Sequence, residues 1–582
     1  MPESNSPYKQ EGVREFYAQR KFDTPFQHLR ESELPDLIEE REDMKVFRGR
    51  NQEQYAQYIE QIHSPEARET FEKACDICQA MNEAGGKGLV VGGAVRDEIL
   101  GVASKDFDLE IYGLEPEVIE KIVQRFGKVK DVGKSFGILN LVTETGIGID
   151  ISLPRTDSRD VEGYHVKADP NMSVAEAGKR RDFSFNALSK DPITGEIYDP
   201  YGGVEDLKTR TLRVTDPERF QDDALRLFRG TQFAGRFGLK AEPNTLKLMK
   251  EMVPMLKEIS VDRIRTEWEK LLLRSAKPSK GLEMLKEIGI IAEYYPELAA
   301  LQGCEQEFEW HPEGDAWVHT LIVADAAKDT VDRNNLEEDT ARVVMLSSLC
   351  HDLGKPDTTE VIDGRITSHR HDIDGVVPVQ SFLERIGTRK KDIEKVCKLT
   401  KEHMWPTNVY INLLKTKEKE DGAKEGEKKD DRQRVNPGAF RRLAKRIHPA
   451  TIKELTYVTE ADCMGVGPLL DPENPNQLMM KNTATIGLEA GRWVREKAKE
   501  VDAYDKKPGR FISGNELMAL GFVVKDLKKG NRKFGVIIKL ADDCRDLLEM
   551  DKETLNEILQ SCGGDEDEAV AKLEKKLEKI KN

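Results

Sequence analysis

The sequence predicts an α+β protein in which a domain built on a mixed β-sheet is followed by helical domains. Between Phe71 and Pro200, short apolar runs alternate with amphipathic segments of helical period. After Tyr201 the helical period continues toward the C-terminus with few interruptions. The chain has 582 residues, which corresponds to about four domains of common size.

Composition excludes several classes of protein. The formal net charge, 91 − 107 = −16, argues against a general nucleic-acid binder but leaves room for a local basic groove. No apolar run approaches the ~18 residues that span a bilayer, and residues 1–20 lack the apolar core of a leader peptide. Eight dispersed cysteines are typical of a reducing compartment. We therefore expect a cytoplasmic protein that does not contact membranes.

The N-terminal third of the chain divides into two predicted parts. Residues 1–65 are polar and acidic, and we interpret them as an N-terminal extension without assigned chemistry. Residues 66–203 form the predicted sheet domain, in which Cys75 and Cys78 have CxxC spacing inside a helix. No second pair follows them, so helical packing is favoured over a zinc or redox site. The predicted elements are a helix over 71–81, a strand over 89–91, a helix over 94–100, a strand over 107–112, a helix over 114–126 and strands over 137–142 and 147–153.

A glycine pair, Gly92 and Gly93, lies between the first predicted strand and the helix after it. Backbone amides at such a turn approach anions closely, and Arg96 adds a bidentate phosphate donor. Nine residues beyond Asp97 come Asp106 and Asp108, which on a strand point to one face. Although a lone pair of this kind usually marks a solvated strand end, the preceding turn favours a Mg²⁺ site that serves phosphate chemistry.

A further acid, Asp150, lies on a later predicted strand between two isoleucines. Two interpretations stay open for it. It is either a third catalytic carboxylate at the metal site or the partner of a nearby arginine such as Arg155.

These residues resemble a known family. The segment from Gly92 to Asp97, followed by Asp106 and Asp108, resembles the head of class II tRNA nucleotidyltransferases and bacterial poly(A) polymerases. Residues 180–187 resemble the second motif of that family, which contacts ribose and triphosphate. The resemblance implies that Arg180 and Arg181 hold the polyphosphate and that Asp182 and Asn186 bond sugar hydroxyls.

A helical region over 204–300 resembles the nucleotide-reading and neck segments of the same family. On a helix, Asp223 and Arg226 are three residues apart and share a face. The resemblance implies that they select cytosine and adenine, each of which offers an amine beside an acceptor, and that Arg229 also belongs to the nucleotide site. Without the other motifs, the pair would be an ordinary surface ion pair.

Histidines cluster in the predicted domain over 301–475, where six of the ten in the chain fall within a hundred residues. Their order resembles the HD phosphohydrolase superfamily. The resemblance implies a metal held by His319, His351, Asp352 and Asp462, with His371 and His403 binding a second metal or a substrate phosphate. Imidazole ligands favour a transition ion such as Ni²⁺ or Mn²⁺, although Mg²⁺ stays open. His311 is not expected to be a ligand, and His371 is preferred over His369.

Two segments depart from the family pattern. Residues 415–434 are almost entirely charged or small and are predicted to be a disordered insertion in the HD region. The helical tail over 476–582 contains a lysine-rich stretch from Lys525 to Lys533, interpreted as a solvated loop or a phosphate-binding patch. The acidic and lysine-rich end after Gly563 is predicted to be a solvated helix.

The predicted function is template-independent addition of CCA to the 3′ end of tRNA from CTP and ATP, with release of pyrophosphate. Phosphohydrolysis by the HD region is expected beside it. The alternatives are a poly(A) polymerase, an enzyme restricted to CC or A addition, and an HD phosphohydrolase whose head only binds. A purely structural RNA-binding protein is disfavoured by the acidic charge. The expected partners are the tRNA 3′ end, CTP and ATP, and no protein partner can be inferred.

Overall fold

The computed structural model describes residues 35–61, 65–102, 104, 106–130, 138–143, 146, 148–160, 163–308, 310–421, 435–466, 470–471, 474–478, 483–523 and 532–578. These residues form two compact units, one ending at Ile290 and the other beginning at Ile291. Among the helices described, none combines the length and apolar character that a membrane crossing requires.

The first unit is organised around a nine-stranded mixed sheet. Its strands are β1 (Asp36–Glu40), β2 (Lys45–Arg48), β3 (Lys87–Val91), β4 (Asp108–Tyr112), β5 (Lys128–Lys130), β6 (Ile138–Val142), β7 (Gly148–Ser152), β10 (Ser189–Lys190) and β11 (Glu196–Asp199); the ribbon β8 (Arg155–Asp160) and β9 (Gly163–Ala168) pairs separately. The order across the sheet is β1-β2-β11-β10-β3-β4-β7-β6-β5. The predicted strands therefore form, within one or two residues of their expected bounds.

The centre of the sheet places the acidic residues. Strand β3 pairs antiparallel with β4, whereas β4 pairs parallel with β7. Four of the five residues in each of β3 and β4 are buried, so both strands lie inside the unit. Because Leu109 of β4 lies opposite Ile151 of β7 in this parallel pair, the N-terminal end of β4 lies beside the middle of β7.

Residues 36–48 belong to this sheet. Strand β2 pairs with β11 from Glu196 opposite Arg48 to Asp199 opposite Lys45, and β1 pairs with β2 at the sheet edge. Val46 is fully buried against β3 and β11 side chains. This differs from the separate extension over 1–65 expected from the sequence, because two short strands with a polar outer face carry little apolar signal.

Helices flank the sheet and then make up the rest of the first unit. They are α1 (Gln52–Gln61), α2 (Pro65–Glu83), α3 (Gly93–Ile99), α4 (Pro116–Val123), α5 (Val174–Gly178), α6 (Gly203–Lys208), α7 (Pro217–Phe220), α8 (Arg226–Phe237), α9 (Pro243–Met252), α10 (Val261–Arg274) and α11 (Pro278–Glu287). Short 3₁₀ turns occupy Ser184–Asn186 and Val253–Glu258, and β12 (Thr211–Leu212) pairs with β13 (Lys240–Ala241). Cys75 and Cys78 are buried inside α2 as free thiols, as the helix prediction required.

The second unit is mainly helical. After α12 (Ile290–Tyr294), its helices are α13 (Pro296–Ala299), α14 (Ala316–Arg333), α15 (Glu338–Cys350), α16 (Lys355–Thr358), α17 (His371–Asp374), α18 (Val376–Arg385), α19 (Lys390–Glu402), α20 (Trp405–Asp421), α21 (Pro437–Ile447), α22 (Ile452–Gly465), α23 (Thr483–Glu500), α24 (Gly514–Ala519), α25 (Arg532–Leu548), α26 (Lys552–Gln560) and α27 (Glu566–Glu578). Two ribbons interrupt them: β14 (Thr359–Ile362) with β15 (Arg365–Ser368), and β16 (Leu470–Asp471) with β17 (Asn474–Leu478). The α+β class is confirmed, although the C-terminal half is not purely helical.

The charged insertion begins differently from its prediction. Residues 415–421 continue α20, since lysine and glutamate are strong helix formers. The remainder, 422–434, lies outside the described residues, as do Lys525, Lys528 and Lys529 of the lysine-rich stretch. Lys533 donates to Asp567 at 2.7 Å and is therefore not a free phosphate ligand. The predicted terminal helix is present as α27.

Candidate functional site

Three carboxylates converge at the N-terminal end of β4. The register places Leu109 opposite Ile151, so Asp108 and Asp150 are neighbours on parallel strands. Asp106 lies two residues before Asp108, outside the strand. The pKa of Asp108 is raised, chiefly by desolvation and also by the charges of Asp150 and Asp106, despite the opposing charge of Arg181. Crowded carboxylates of this kind are stabilised by a divalent cation.

Asp150 is held by its neighbour on β6. Asn140 lies opposite Asp150 in the antiparallel pair, and its Nδ2 donates to Asp150 Oδ1 at 2.7 Å. The charge of Asp150 acts on Asp108 and contributes to the raised pKa of that carboxyl.

The glycine turn after β3 has the conformation that its sequence indicates. Gly92 has φ +69°, a backbone region that side chains rarely adopt, and it precedes the first residue of α3. A Cβ at Gly92 would lie 3.5 Å from Arg181 Nη1 and 3.7 Å from Asn186 O. The turn therefore lies against the segment that carries the second motif.

Two arginines supply positive charge beside the carboxylates. Arg180 Nη2 donates to Glu110 Oε1 at 2.7 Å, and Arg181 Nη2 lies 3.8 Å from the same oxygen. Burial opposes ionisation of Glu110, but the two arginines outweigh it and lower the pKa of this carboxyl. Desolvation and the charge of Arg180 lower the pKa of Arg181. Glu110 was not predicted, although it continues the alternation of acids after Asp106 and Asp108.

A buried network connects the glycine turn to α8. Arg96 donates from Nη1 to Asn186 Oδ1 at 2.7 Å and from Nη2 to Asp97 at 2.6 Å. Asn186 Nδ2 donates to Asp182 Oδ1 at 2.8 Å, and Arg229 Nε donates to Asp182 Oδ2 at 2.6 Å. Arg96, Asn186 and Asp182 are each less than a tenth exposed. The structure thus places these side chains in internal hydrogen bonds, and their contacts with phosphate and sugar stay a prediction.

The predicted base-selecting pair is held by other parts of the first unit. Arg226 opens α8, but Asp223 lies in the turn before it, so the two do not share a helical face as expected. Arg226 donates from Nη1 to Arg219 O and from Nη2 to Arg180 O, both at 2.6 Å. Arg263 Nη2, on α10, donates to Asp223 Oδ2 at 2.8 Å. Arg263 was not singled out from the sequence as the partner of Asp223.

A second constellation lies in the second unit, where five elements bring six side chains together. His319 is on α14, His351 follows the last residue of α15, His371 opens α17, His403 follows α19 and Asp462 is on α22; Asp352 completes the set. His319, His351, Asp352 and His403 are at most 1% exposed. All six residues predicted from the sequence therefore meet in space.

The six side chains form two adjoining groups. In the first group, His319 Nε2 lies 3.2 Å from His351 Nε2 and 3.1 Å from Asp462 Oδ1. In the second group, His371 Nε2 lies 3.3 Å from His403 Nε2 and 3.5 Å from Asp352 Oδ1. Within the described parts of the chain, the sets of three or more side chains close enough to share a cation are these two and the set of His311, Glu313 and His319.

Each imidazole is fixed through its other nitrogen. The Nδ1 atoms of His351, His371 and His403 lie 2.8, 2.8 and 2.6 Å from the carbonyl oxygens of Ser348, Ser368 and Thr400, three residues earlier in each case. Because a carbonyl oxygen can only accept, each Nδ1 carries a proton, and Nε2 presents a lone pair in the neutral form of each ring. Lone pairs facing each other repel unless a cation lies between them, so the donor set fits a metal ion.

Electrostatics agree with that fit. Burial lowers the pKa of His351, but Asp352 and Asp462 outweigh it and raise the value to about 10. The site therefore favours positive charge at this point, which a metal ion would supply. Lys355 Nζ lies 2.7 Å from Asp352 Oδ2 and donates to Gln306 Oε1 at 2.6 Å.

The structure also separates ligand candidates from their neighbours. His369 is exposed, whereas His371 faces the centre, as predicted. His311 Nδ1 lies 2.9 Å from Glu313 Oε1, and the same oxygen lies 2.7 Å from His319 Nδ1. Sequence reasoning passed over Glu313, because its role depends on the fold of the loop that contains it.

Comparison with known families matches three segments of the chain. Residues 89–213 match the family model described as "Poly A polymerase head domain", and residues 238–302 match "Probable RNA and SrmB- binding site of polymerase A". Residues 317–447 match the HD domain. The two candidate sites lie in the first and third of these segments, except for the later residues Asp223, Arg226, Arg229 and Asp462.

Curated relatives resemble much of the chain. The Multifunctional CCA protein of Xanthomonas campestris pv. campestris (strain B100) is 34% identical over 325 residues, which cover 54% of this chain and 74% of that protein. The Multifunctional CCA protein of Actinobacillus pleuropneumoniae serotype 5b (strain L20) is 35% identical over 315 residues, covering 52% and 72%.

Solved structures share the fold. The Bacillus stearothermophilus CCA-adding enzyme in complex with CTP has a TM-score of 0.54 at 22% identity and covers 86% of this chain and 98% of its own. The Thermotoga maritima CCA-adding enzyme complexed with tRNA has a TM-score of 0.50 at 18% identity, covering 88% and 98%.

Proposed function

The chain belongs to the family of multifunctional CCA proteins, and from that membership we propose that it completes the 3′ end of tRNA by adding C, C and A. CTP and ATP are the proposed substrates, and pyrophosphate is the proposed leaving product. The observation that carries the proposal for this chain is the cluster of Asp106, Asp108 and Asp150 beside Arg180 and Arg181.

The carboxylates form the proposed metal site of the head. Asp106 and Asp108 supply ligands, and Asp150 completes the site with the orientation that Asn140 gives it. Bound Mg²⁺ would activate the terminal hydroxyl of the RNA and stabilise the departing pyrophosphate. The raised pKa of Asp108 without a cation supports the fit, since a cation at this place relieves the repulsion among the three acids.

The glycine turn and the arginines have different proposed roles. Gly92 and Gly93 let the triphosphate approach the backbone, and Arg181 Nη1 lies 3.5 Å from the position that a Cβ would take at Gly92. Arg180 is partly engaged by Glu110 and adds charge at the same edge. The network of Arg96, Asp182 and Asn186, which are buried, and the partly exposed Arg229 positions this turn against α8 in the proposal.

Base selection is assigned to Asp223 and Arg226. The guanidinium of Arg226 gives two of its five N–H donors to carbonyl oxygens, so it is fixed in place with donors left for a base. The Asp223 carboxylate, oriented by Arg263, accepts from the exocyclic amine of cytosine or adenine. Uracil and guanine offer a carbonyl oxygen at the corresponding edge, which repels the carboxylate.

The direct test uses a tRNA transcript that lacks its CCA end, with Mg²⁺ and CTP alone, ATP alone or both. The expected result is two additions with CTP and a third when ATP is included. A long ladder of A residues with ATP alone would identify a poly(A) polymerase instead, and growth that stops after CC or only adds A would identify a restricted enzyme.

Two matched variants assign the activity to the head. Asp108→Asn keeps the size of the side chain, removes its charge and is expected to lower incorporation by at least 100-fold, in keeping with the loss of a group that acts on the transition state. Asp262→Asn makes the same change at an exposed helix position and should leave the rate unchanged. Full activity of Asp108→Asn would exclude the proposed site.

A second activity, phosphoester hydrolysis, is proposed for the HD site. His319, His351, Asp352 and Asp462 would hold one transition ion, and His371 and His403 are placed for a second ion or for a substrate phosphate. A metal ion bound there would supply a hydroxide nucleophile at neutral pH. Chelation followed by metal add-back on bis(p-nitrophenyl) phosphate tests it, and Asp462→Asn should abolish hydrolysis while CCA addition continues. A cytoplasmic location is the prediction that accompanies both roles.

A further inference from the structure

The four imidazoles of the HD site are not equivalent, because their Nδ1 partners differ. Three of them meet backbone carbonyl oxygens, whereas His319 meets the carboxylate of Glu313 at 2.7 Å. A carboxylate partner raises the basicity of a ligating imidazole more than a carbonyl does and also fixes the tautomer. The imidazole with the carboxylate partner, His319, belongs to the group that it forms with His351 and Asp462.

Glu313 is held rigidly in this position. Its side chain is fully buried, and its Oε1 is shared by His319 and by His311 at 2.9 Å. Oε2 is buried and has no hydrogen-bond partner in the structure as described. Two residues later, Asp315 caps α14 by accepting from the Val318 amide at 2.9 Å, so the loop that carries Glu313 is tied to the helix that carries His319.

We propose that Glu313 is a positioning residue for the HD site, which makes the metal position formed by His319, His351 and Asp462 tighter than the position formed by His371, His403 and Asp352. Glu313 keeps the proton of His319 on Nδ1, so that Nε2 points to the metal position. Its charge also adds to the attraction for a dication, without Glu313 contacting the ion. This inference rests on the proposed HD activity.

The charged surroundings support a local effect. A charged neighbour of this cluster is Lys355, whose Nζ lies 3.4 Å from His311 Nε2 and 2.7 Å from Asp352 Oδ2. His311 thus separates the Glu313 carboxylate from the Lys355 ammonium. The Glu313 carboxylate is therefore directed to His319, whereas the Lys355 ammonium contacts Asp352 Oδ2, the oxygen that lies 3.2 Å from His351 Nε2.

The test is a Co²⁺ titration of the full-length protein by isothermal calorimetry after chelation, with thermal unfolding at each metal concentration. The wild type is expected to show a tighter and a weaker binding step. Glu313→Gln should weaken the tighter step by roughly 10- to 100-fold and leave the weaker step unchanged. Equal weakening of both steps, or no change in either, would overturn the inference.

A matched control is available in the same unit. Glu297 is a largely buried glutamate that accepts from Ser381 Oγ at 2.6 Å and also has a buried oxygen without a partner, yet it contacts none of the six site residues in the described structure. Glu297→Gln should leave both binding steps unchanged. An equal effect of the two substitutions would mean that buried charge in general, and not the contact with His319, determines the affinity.

A second variant and the behaviour of the wild type distinguish the possible outcomes. Glu313→Asp retains the charge with a shorter reach and should give an intermediate affinity, which tests the inference if Glu313→Gln folds poorly. A wild-type protein that binds no Co²⁺, and that also lacks hydrolysis, would refute the HD activity itself. Binding in the wild type with an unchanged Glu313→Gln titration would refute only the role of Glu313.

Discussion

Asp182→Asn is expected to destabilise the first unit, because Asp182 joins three parts of it. Its Oδ1 accepts from the Phe183 amide at 2.9 Å and from Asn186 Nδ2 at 2.8 Å, and its Oδ2 accepts from Arg229 Nε at 2.6 Å. Asparagine has one oxygen, so in either orientation its amide nitrogen faces a donor. The favourable orientation keeps the two bonds of Oδ1 and loses the bond to Arg229.

The size of the effect follows from that lost bond. A hydrogen bond to a charged group contributes about 1.5 to 3 kcal/mol, and a carboxylate left without its partner in a buried site costs more. Here the charge is removed together with the bond, and the Arg229 side chain is 37% exposed, so water compensates it in part. We expect a loss of about 2 kcal/mol, which lowers the unfolding temperature of a unit of this size by roughly 4 to 8 °C.

The pKa of Asp182 gives the expected pH dependence. Burial opposes ionisation of Asp182, but Arg229 and the bond from Asn186 outweigh it and lower its pKa below the ordinary value of 3.8. A carboxyl whose folded pKa is depressed contributes stability above its unfolded pKa and loses that contribution as the pH falls through the folded value. The difference between wild type and Asp182→Asn should therefore be constant from about pH 7 to about pH 5 and shrink below about pH 4.

Differential scanning calorimetry measures the shift, and hydrogen–deuterium exchange assigns it to the first unit. Exchange should increase in 184–186 and in the first turn of α8, while α14 and α22 keep the wild-type pattern. Asp262→Asn, an exposed aspartate, is the matched control and should shift the transition by less than about 1 °C. If Asp182→Asn melts like this control, the network does not hold the glycine turn and α8 together.

Two further substitutions test other contacts of the first unit. Arg263→Ala removes the donor that orients Asp223, and it should lower kcat/KM for CTP by about tenfold and reduce the preference for CTP over UTP. Arg265→Ala on the same helix is the control and should change neither quantity. Single-nucleotide incorporation measures both quantities, and equal discrimination in the two variants would contradict the role of the contact. Lys190 Nζ lies 2.5 Å from Glu98 Oε2, and both side chains are at most 5% exposed, so Lys190→Met leaves Glu98 as an uncompensated buried charge. Chemical denaturation should show that the free energy of unfolding falls by about 3 to 5 kcal/mol. The double variant with Glu98→Gln should recover most of that loss.

The sequence was most informative where chemistry requires a fixed order of residue types. Asp106, Asp108 and Asp150 of the head and the six residues of the HD site are all singled out by the sequence, since motif spacing carries both the element and the side chain, whereas Glu110 is not. The strand bounds around Asp108 and Asp150 were also close, because apolar runs of four or five residues mark buried strands.

What the sequence could not supply was the partner of each side chain. Arg96, Asp182 and Asn186 have the chemistry of nucleotide ligands, and the fold also joins them to one another by hydrogen bonds that the sequence does not reveal. Glu313 contacts His319, and Arg263 contacts Asp223, only because the folded chain brings them together. No periodic pattern in the sequence encodes such contacts. The pairing of β2 with β11 joins segments about 150 residues apart and is likewise invisible to local pattern.

Strands β1 and β2 also determine which strand forms this edge of the sheet. Strand β2 covers β11 along four residue pairs, and β1 then presents a fully exposed outer strand that begins with Asp36 and ends with Glu39 and Glu40. Acidic edges resist pairing with strands of other molecules. A protein shortened by its first 50 residues would instead offer the unpaired backbone of β11, with Ile197 and Tyr198, to its neighbours. Removal of these residues is therefore expected to cause aggregation before it affects chemistry.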